Sequence, residues 1–306
     1  MPAPTFDNIC AIIVTLEVDV DFKQRVENII HQVAKVVIVD NSSGDKTIKI
    51  LQDLADNKKI FVIFNKQNLG IAAALNEGIF WALNNGYHWA LTLDDDSTAE
   101  PFMVETLSGI YNSVMDQEHI AIIGANHIDP TTKELYVDPG RGKVKDWITR
   151  VTVITSGSLM PLKAYQKIGP LRNDFFIDGV DHEYCLRARS KGFKIYLALK
   201  PILRHPMGNR KKISLIIPWI KIVTTNYQPF RWYFLVRNRL ILVKEYLFKE
   251  PIWCISRLIR MIGLMGIMLF FEKKRAQKVK FIFLGFADFI HGNMSRDIRP
   301  HMIKTR

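Results

Sequence analysis

Cysteine is scarce in this 306-residue sequence, and none of it is paired. Cys10, Cys185 and Cys254 lie far apart without a CxxC spacing, which excludes a disulfide framework and a cysteine-rich zinc site. Residues 1–15 lack a basic segment and a small-residue cleavage site, so we expect no signal peptide. These absences favour a reduced, cytoplasmic protein.

Glycine-rich phosphate loops are missing as well. No GxGxxG follows the first apolar run, and no GxxxxGK followed by Ser or Thr occurs anywhere in the sequence. The glycine loops with which dinucleotide-binding folds and P-loop proteins hold phosphates are therefore excluded. If a nucleotide binds to this chain, we expect a metal ion to hold its phosphates.

An uninterrupted apolar run of membrane-spanning length is also missing. The longest apolar segment, 252–271, is broken by Arg257 and Arg260, and only 11 apolar residues follow them. A spanning helix needs about 20 such residues. Two arginines about one turn apart in an apolar helix are typical of an amphipathic helix that lies in the membrane interface.

Excess positive charge is absent from the first two thirds of the chain. Residues 1–203 carry 21 Lys+Arg against 25 Asp+Glu, a net charge of −4, whereas residues 204–306 carry 21 against 5, a net charge of +16. This asymmetry predicts a mildly acidic domain followed by a region that meets an anionic surface, either membrane or nucleic acid. The many Ile, Leu and Phe residues between the basic ones favour membrane, and we expect no nucleic-acid partner.

The pattern of the first hundred residues is an alternation of strands and helices. Short, β-branched runs at 9–16 and 35–40 flank a segment with helical spacing, and the alternation continues to a strand at 89–94. It predicts an α/β fold with a parallel, doubly wound sheet flanked by helices. Further strands are expected at 120–128 and 151–160. We expect an α/β domain over 1–208 and a basic, aromatic-rich helical region over 209–306.

Polar residues follow the predicted strands at their carboxyl ends. Thr15 and Glu17 follow the first strand, Asp40, Asn41 and Ser42 follow the second, and the three aspartates 94–96 follow the fourth. Ligands of such sheets bind outside the carboxyl ends of the strands, so these side chains should converge on one crevice.

The run Asp94, Asp95 and Asp96 places three like charges directly after a buried strand. Carboxylates in such a turn make a hard-oxygen site for Mg²⁺ or Mn²⁺, which would hold a diphosphate. A solvated acidic turn or a helix cap is the alternative. His205, just past a later strand, would point toward the same crevice.

A second acidic pair lies in the segment VDHEYCLR. Glu183 and Arg187 stand four residues apart, which permits an ion pair on one helix face, and this leaves Asp181 to act as a general base. The alternative is a capping aspartate beside a surface ion pair. His182 and Cys185 have no second pair at zinc-ligand spacing.

Several motifs in order resemble those of a known family. They are ICAIIVTLE, VVIVDNSS, NKQNLGIAAALNEGI, ALTLDDDSTAEP, SGSLM, FFIDGVDHEYCLRARSKGFKIYL and RHPMGN, over residues 8–208, with RNRLILVKEY and FLGFADFIHGNMSR further on. The sequence resembles the family 2 glycosyltransferases of GT-A fold, a Rossmann-like, mostly parallel sheet flanked by helices. Within that family it is similar to bacterial rhamnosyltransferases of O-antigen and capsule assembly.

The resemblance implies a role for each matching residue. Asp181 would be the catalytic base, although Val180 stands where the family usually has a glutamate. The metal would be held by Asp94, Asp96 and His205. The nucleotide-sugar site would be lined by Thr15, Glu17, Asp40, Asn68, Gly70, Asp94 and Asp95. The donor sugar and the acceptor would lie beside Gly157, Ser158 and Glu183.

The activity implied is an inverting, Mg²⁺- or Mn²⁺-dependent transfer. L-Rhamnose would pass from dTDP-L-rhamnose to a saccharide on an undecaprenyl diphosphate carrier, with the basic C-terminal region peripheral on the inner membrane. The alternatives are another nucleotide-sugar hexosyltransferase, a sugar nucleotidyltransferase, or a non-catalytic nucleic-acid binding protein. An acidic segment, TLEVDVD, follows the first strand and disfavours the nucleotidyltransferase. The C-terminal region could also be an ordinary helical subdomain that packs on the catalytic domain.

Overall fold

A computed structural model describes residues 2–138, 140, 145–206, 211–214, 221–296 and 298, with the backbone alone for 211–214 and 221–223. The chain forms two compact units. The first comprises Met1–Asn173 and Val180–Pro206, and the second comprises Asp174–Gly179 and Met207–Arg306. The expected domain boundary at 208 lies outside the described residues, so it stays a prediction.

The first unit contains nine strands and six helices among its described residues. The strands are β1 (Ile9–Thr15), β2 (Lys35–Asp40), β3 (Ile60–Phe64), β4 (Trp89–Asp94), β5 (Thr98–Ala99), β6 (Ile120–Ile128), β7 (Trp147–Arg150), β8 (Ser158–Pro161) and β9 (Lys194–Arg204). The helices are α1 (Phe22–Ile30), α2 (Asp45–Ala55), α3 (Ile71–Asn84), α4 (Met103–Ser113), α5 (Leu162–Ile168) and α6 (Val180–Ser190).

These strands form one sheet in the order β3-β2-β1-β4-β8-β6-β9-β5, with β7 paired to β9. The first four pair in parallel, so β1, β2 and β4 end at the same edge, with Thr15 beside Asp40 and Val14 beside Asp94. This confirms the predicted parallel half and the convergence of its carboxyl ends. Strands β5, β7 and β8 run antiparallel to their neighbours, which makes the whole sheet mixed.

The sheet is covered by apolar helix faces. Strand β1 is buried along its whole length, as expected of a strand covered on both faces, and Phe22, Val26 and Ile29 of α1 pack into the same core. Gly78 of α3 allows a close approach to β1, because a Cβ there would lie 2.4 Å from Cγ2 of Ile12.

The expected strand over 151–160 is wrong in its extent. Strand β7 ends at Arg150, and β8 begins only at Ser158. The segment between them turns at Gly157, whose φ of 78° is left-handed and which stops regular pairing. Only residues 158–160 of the expected strand are therefore in a strand, and the residues before them form the connection between β7 and β8.

The second unit contains a two-stranded sheet and three helices among its described residues. They are β10 (Lys211–Ser214), β11 (Lys221–Thr224), α7 (Pro229–Tyr246), α8 (Pro251–Phe271) and α9 (Arg275–His291). Trp232 and Val236 of α7 and Met261 and Met268 of α8 form its core. Within the described residues, α8 is one helix whose length and composition would allow it to cross a membrane, a test that core helices of soluble proteins also pass.

Candidate functional site

The acidic turn lies at the carboxyl end of β4. Asp94 is the last residue of β4, and its backbone N–H donates to Ser156 Oγ at 3.1 Å. Asp95 Oδ2 accepts from the backbone N–H of Leu16 at 3.1 Å, and the Asp95 carbonyl accepts from Arg25 Nε at 2.6 Å. Hydrogen bonds from three other segments thus fix the position of the turn.

Asp94, Asp96 and His205 form a candidate metal site. One ligand atom from each residue lies within 4.8 Å of the other two. His205 follows β9 directly, and its Nδ1 lies 3.3 Å from Asp96 Oδ1 and 2.8 Å from Ser97 Oγ. Two carboxylates and an imidazole form a donor set that suits Mn²⁺ and, with water, Mg²⁺. The residues present therefore fit such an ion.

The electrostatics of this turn disfavour its ionised carboxylates. Burial raises the pKa of Asp94 to about 6, and the charges of Asp96 and Asp181 raise it as well. The charge of His205 acts in the opposite direction and lowers it. Burial also raises the pKa of Asp95 to about 7. Burial alone would lower the pKa of His205, but the hydrogen bond to Asp96 and the nearby carboxylates raise it above its ordinary value. The ionised carboxylates of this turn are therefore unfavourable by themselves, and a bound cation would stabilise them.

Asp181 lies in the first turn of α6, where the helix dipole favours a carboxylate. Its Oδ1 accepts from the backbone N–H of His182 at 2.7 Å. Asp181 also lines a small pocket together with Thr155, Ser158 and Tyr184. Thr155 and Ser158 flank Ser156, whose Oγ accepts from the backbone N–H of Asp94, so this pocket adjoins the acidic turn.

Glu183 does not face this pocket. It is buried, and its two carboxylate oxygens accept from Arg187 Nε and Nη2 at 2.8 and 2.9 Å. Arg187 Nη1 also donates to the carbonyls of Ile168 and Gly169, at 2.7 and 3.1 Å. The predicted i, i+4 pair is therefore present, but it is a buried structural pair. The expected contact of Glu183 with a sugar stays a prediction, and each of its oxygens already accepts one hydrogen bond from Arg187.

Thr15 and Asp40 lie at adjacent strand ends and are bonded to each other. Thr15 Oγ1 donates to Asp40 Oδ1 at 3.1 Å, and Asp40 Oδ2 accepts from the backbone N–H of Ser43 at 3.0 Å. Ser43 Oγ also donates to Asp40, and it accepts from the backbone N–H of Glu17 at 3.0 Å. Asp40 thus holds the loop after β2 against the loop after β1.

Glu17 is exposed at the same edge and has a left-handed backbone, with φ of 61°. Its Oε1 accepts from the backbone N–H of Gly44 at 2.8 Å, next to the start of α2. A non-glycine residue in this conformation is uncommon, and such residues often lie at functional sites. The geometry places Glu17 where a ligand at the sheet edge could reach it.

Asn68 and Gly70 shape the turn that leads into α3. Gly70 has φ of 84°, and its N–H donates to Asn68 Oδ1 at 2.9 Å. Asn41, which follows β2, bonds to the same turn. Its Oδ1 accepts from the backbone N–H of Leu69 at 3.0 Å, and its Nδ2 donates to Gly70 O at 3.2 Å. The turn is therefore fixed at the edge where Asp40 ends β2.

Gly157 and Ser158 form the turn before β8. A Cβ on Gly157 would lie 2.8 Å from Ala125 Cβ, so only glycine fits. Ser158 is buried, and its Oγ donates to Ile154 O at 2.7 Å. Gly157 N–H donates to Thr92 O at 2.7 Å, which joins this turn to β4 just before the aspartates.

Sequence reasoning missed the residues that hold the predicted ones. Ser97 Oγ lies 2.7 Å from Ser156 Oγ and 2.8 Å from His205 Nδ1, so two serines connect the acidic turn to the imidazole. Arg25 supports a neighbouring loop in the same way, and so does Asn41, which the sequence had already placed at this edge. A signal existed for the serines, since Ser97 lies within the motif ALTLDDDSTAEP and Ser156 begins the motif SGSLM.

Comparison with known proteins gives the class of this chain. Residues 10–152 match the family model described as glycosyl transferase family 2. This match and the named relative described next make the chain a glycosyltransferase, and its mixed α/β sheet with flanking helices agrees with a GT-A-like fold.

One relative has a named activity. The chain is 28% identical over 257 residues to the dTDP-rhamnosyl transferase RfbF of Shigella flexneri, a match that covers 78% of this chain and 80% of that protein. The expected resemblance to rhamnosyltransferases of family 2 is confirmed.

The solved structures support the fold alone. S. aureus TarS superposes with a TM-score of 0.58 at 13% identity, over 95% of this chain and 49% of that one, so this chain spans about half of TarS. A shorter TarS structure in complex with UDP-GlcNAc has a TM-score of 0.54 at 14% identity, over 93% and 81%. GalNAc-T7, solved with UDP, GalNAc and Mn²⁺, has a TM-score of 0.54 at 13% identity, over 65% and 43%.

Proposed function

We propose that this chain transfers L-rhamnose from dTDP-L-rhamnose to a lipid-linked saccharide, with inversion at the anomeric carbon. The observation that carries the proposal is that Asp181 lines a pocket with Thr155 and Ser158, which flank the Ser156 that bonds to Asp94 of the Asp94, Asp96 and His205 group. A general base and a diphosphate-binding group then share one site at the sheet edge. The donor follows from the relative that is a dTDP-rhamnosyl transferase.

The chemistry of the step is a single displacement. Asp181 takes the proton of an acceptor hydroxyl. The hydroxyl oxygen forms a bond to the anomeric carbon of rhamnose while the bond from that carbon to the diphosphate breaks. The glycoside leaves with inverted configuration, together with the nucleoside diphosphate.

Asp94, Asp96 and His205 would hold the divalent cation, Mg²⁺ or Mn²⁺, which neutralises charge on the diphosphate when it is bound. Glu17 and the loops fixed by Asp40 and Asn41 would receive the nucleoside.

A lipid-linked acceptor requires the protein to reach a membrane, and the second unit offers a surface for it. We call this surface the apolar stripe; it consists of Ile252, Ile255, Ile259, Ile262 and Leu269 of α8. These side chains recur every three to seven residues along one helix face and are 44 to 85% exposed. Such an extended exposed apolar surface is rare on soluble monomers and marks an interaction site.

Basic residues accompany the stripe. Exposed lysines and arginines lie at both ends of α8, within it and in α9: Lys249, Arg260, Lys273, Lys274, Arg275 and Lys280. Each basic residue near an anionic bilayer contributes about 1 kcal/mol to binding. The proposed occupant of the stripe is therefore the anionic inner face of the bacterial cell membrane, with the helix lying in the interface.

The test of the activity is calorimetric titration with dTDP-L-rhamnose, UDP-glucose and GDP-mannose, each with Mn²⁺ and with EDTA. Metal-dependent binding of dTDP-L-rhamnose alone is expected. Binding of another donor would keep the enzyme class and refute the rhamnosyl donor. Asp181→Asn should bind the donor normally yet transfer no sugar to a bacterial lipid extract. The surface control Asp53→Asn should bind the donor and transfer the sugar as wild type does. Transfer by Asp181→Asn would remove this residue as the base.

The test of the membrane surface is co-sedimentation with vesicles. Wild-type protein should bind vesicles of phosphatidylglycerol and phosphatidylethanolamine and not vesicles of phosphatidylcholine alone. Ile259→Glu with Ile262→Glu should weaken that binding at least about tenfold, because two charges would enter the apolar layer. The control Met115→Glu changes a fully exposed apolar residue of the first unit. A soluble dimer that binds no vesicles would assign the stripe to a second copy of the chain instead.

A further inference from the structure

The segment that leads into α6 has an unusual backbone. Residues 174–179, the pre-helix loop, belong to the second unit, whereas α6 begins with Val180 in the first. Phe176, Asp178 and Gly179 all have left-handed φ, at 56°, 62° and 92°. Two of these are not glycine, so the conformation costs energy and persists only where surrounding residues impose it. Asp181 follows Gly179 by two residues.

Asn238 of α7 imposes much of this conformation. It is 1% exposed, and its Nδ2 lies 2.9 Å from Phe175 O, 3.0 Å from Ile177 O and 2.8 Å from Asp178 O. Three carbonyls of the pre-helix loop converge on one amide group that has two N–H donors. Such convergence requires the tight, left-handed path of the loop.

Two arginines of α7 hold the ends of the loop. Arg231 Nε and Nη2 donate to the two oxygens of Asp178 at 2.9 and 2.7 Å, a bidentate pair. Arg237 Nη2 donates to Asp174 O at 2.6 Å. The first and the fifth residues of the loop are therefore both bonded to α7.

Arg237 is itself anchored from α9. It is 1% exposed, and its Nη1 donates to Tyr233 Oη at 3.2 Å. Tyr233 Oη donates to Asp288 Oδ2 at 2.8 Å, and Arg296 Nη2 donates to Asp288 Oδ1 at 2.7 Å. A chain of buried polar groups thus runs from α9 through α7 to the loop.

We propose that Arg231, Arg237 and Asn238 are positioning residues for Asp181. They fix the backbone of the pre-helix loop, which ends two residues before Asp181. The inference rests on the proposed role of Asp181 as the base. It gives the C-terminal region a part in the transfer step, besides any part in membrane binding.

The variants separate positioning from folding. Arg231→Gln removes the bidentate pair at a partly exposed site and should leave the unit folded. Arg231→Lys retains one charge-assisted hydrogen bond and should restore part of the function. Asn238→Asp keeps the side-chain shape but replaces the donating amide with an acceptor that repels the carbonyls. Lys244→Gln, on the exposed face of the same helix, is the matched control.

The kinetic readout is the division of the effect between turnover and donor binding. A misplacement of a catalytic group by about 1 Å costs about 100-fold in rate. Arg231→Gln and Asn238→Asp should therefore lower kcat about 10- to 100-fold, while the Kd for dTDP-L-rhamnose with Mn²⁺ stays within about twofold. Unchanged kcat in Arg231→Gln, or equal losses in Arg231→Gln and Arg231→Lys, would overturn the proposal.

Hydrogen exchange supplies a readout that needs no substrate. Peptides covering 174–190 should exchange faster in Arg231→Gln than in wild type or Lys244→Gln, while peptides of β1 to β4 stay unchanged. Unchanged exchange in 174–190 would overturn the proposal, whatever the kinetics. If wild-type protein transfers no sugar from any donor, the proposed function fails, and exchange alone then decides whether α7 fixes this segment. If Asn238→Asp does not fold, the two Arg231 variants decide the kinetic question.

Discussion

The hydroxyl of Ser97 offers the sharpest single test of the candidate metal site. Ser97 Oγ lies 2.8 Å from His205 Nδ1 and 2.7 Å from Ser156 Oγ, and Ser97 is buried. Ser97→Ala removes this hydroxyl and leaves every ligand in place. The imidazole then loses a partner that holds its ring, while Asp94 and Asp96 are unchanged. A loss of metal affinity would then come from the orientation of His205 or, through Ser156, from the backbone of Asp94.

The size of the effect follows from this geometry. Residues that orient a metal ligand usually contribute a factor of about 10 to 100 in metal affinity. His205 keeps a contact to Asp96, with Nδ1 at 3.3 Å from Oδ1, so part of its orientation survives. We therefore expect the lower half of that range, a rise in the Mn²⁺ Kd of about 10- to 30-fold, or about 1.4 to 2 kcal/mol.

The assay is calorimetric titration of Mn²⁺ into the protein saturated with dTDP. Ser190→Ala is the control, because Ser190 is exposed and its hydroxyl donates only to a backbone carbonyl, Arg187 O at 2.8 Å. Mn²⁺ binding by Ser97→Ala within a factor of about two of wild type would refute the orienting role. Absence of Mn²⁺ binding in wild type would refute the metal site itself.

Three further outcomes can be measured by denaturation in urea. Gly157→Ala should lower the free energy of unfolding by about 1 to 3 kcal/mol, because its φ is 78° and the new Cβ would lie 2.8 Å from Ala125 Cβ. The control Gly109→Ala, whose new Cβ would have nothing within 4 Å, should raise it by about 0.5 to 1 kcal/mol. Arg187→Met should cost about 3 to 5 kcal/mol, because it leaves the buried Glu183 without this cation; a cost below about 1 kcal/mol would contradict the buried pair. The pKa of Asp288 is lowered by its hydrogen bond from an arginine, so its contribution is present at neutral pH and is lost as pH falls through the lowered pKa; Asp288→Asn should therefore lose less stability than wild type on acidification.

Much of the first unit could be predicted because its signals are local. The β-branched runs that became β1 and β2 are buried along nearly their whole length, and the helical spacing between them gives α1. Parallel strands then place their carboxyl ends together, which brings Thr15, Asp40 and Asp94 to one edge without any knowledge of contacts. Composition and periodicity are sufficient for such conclusions.

The supporting residues could not be predicted in the same way. Asn238 bonds to carbonyls 60 to 63 residues earlier in the chain, and Ser97 lies 59 residues from Ser156. No periodicity encodes a hydrogen bond over such a separation, since it depends on how the strands and helices pack. Glu183 is a similar case. Its spacing to Arg187 predicts the ion pair, but the burial of that pair depends on how α6 packs and could not be predicted from the spacing.

The three aspartates illustrate how a local pattern acquires its chemistry. In the sequence they are like charges that repel. In the structure, burial raises the pKa of Asp94 to about 6 and that of Asp95 to about 7, so the site is unfavourable for its own ionised carboxylates. Arg25 bonds to a backbone carbonyl in this turn rather than to a carboxylate, and His205 offers one imidazole. A divalent cation would supply the charge that these side chains do not, and its binding would offset the cost of burying the ionised carboxylates.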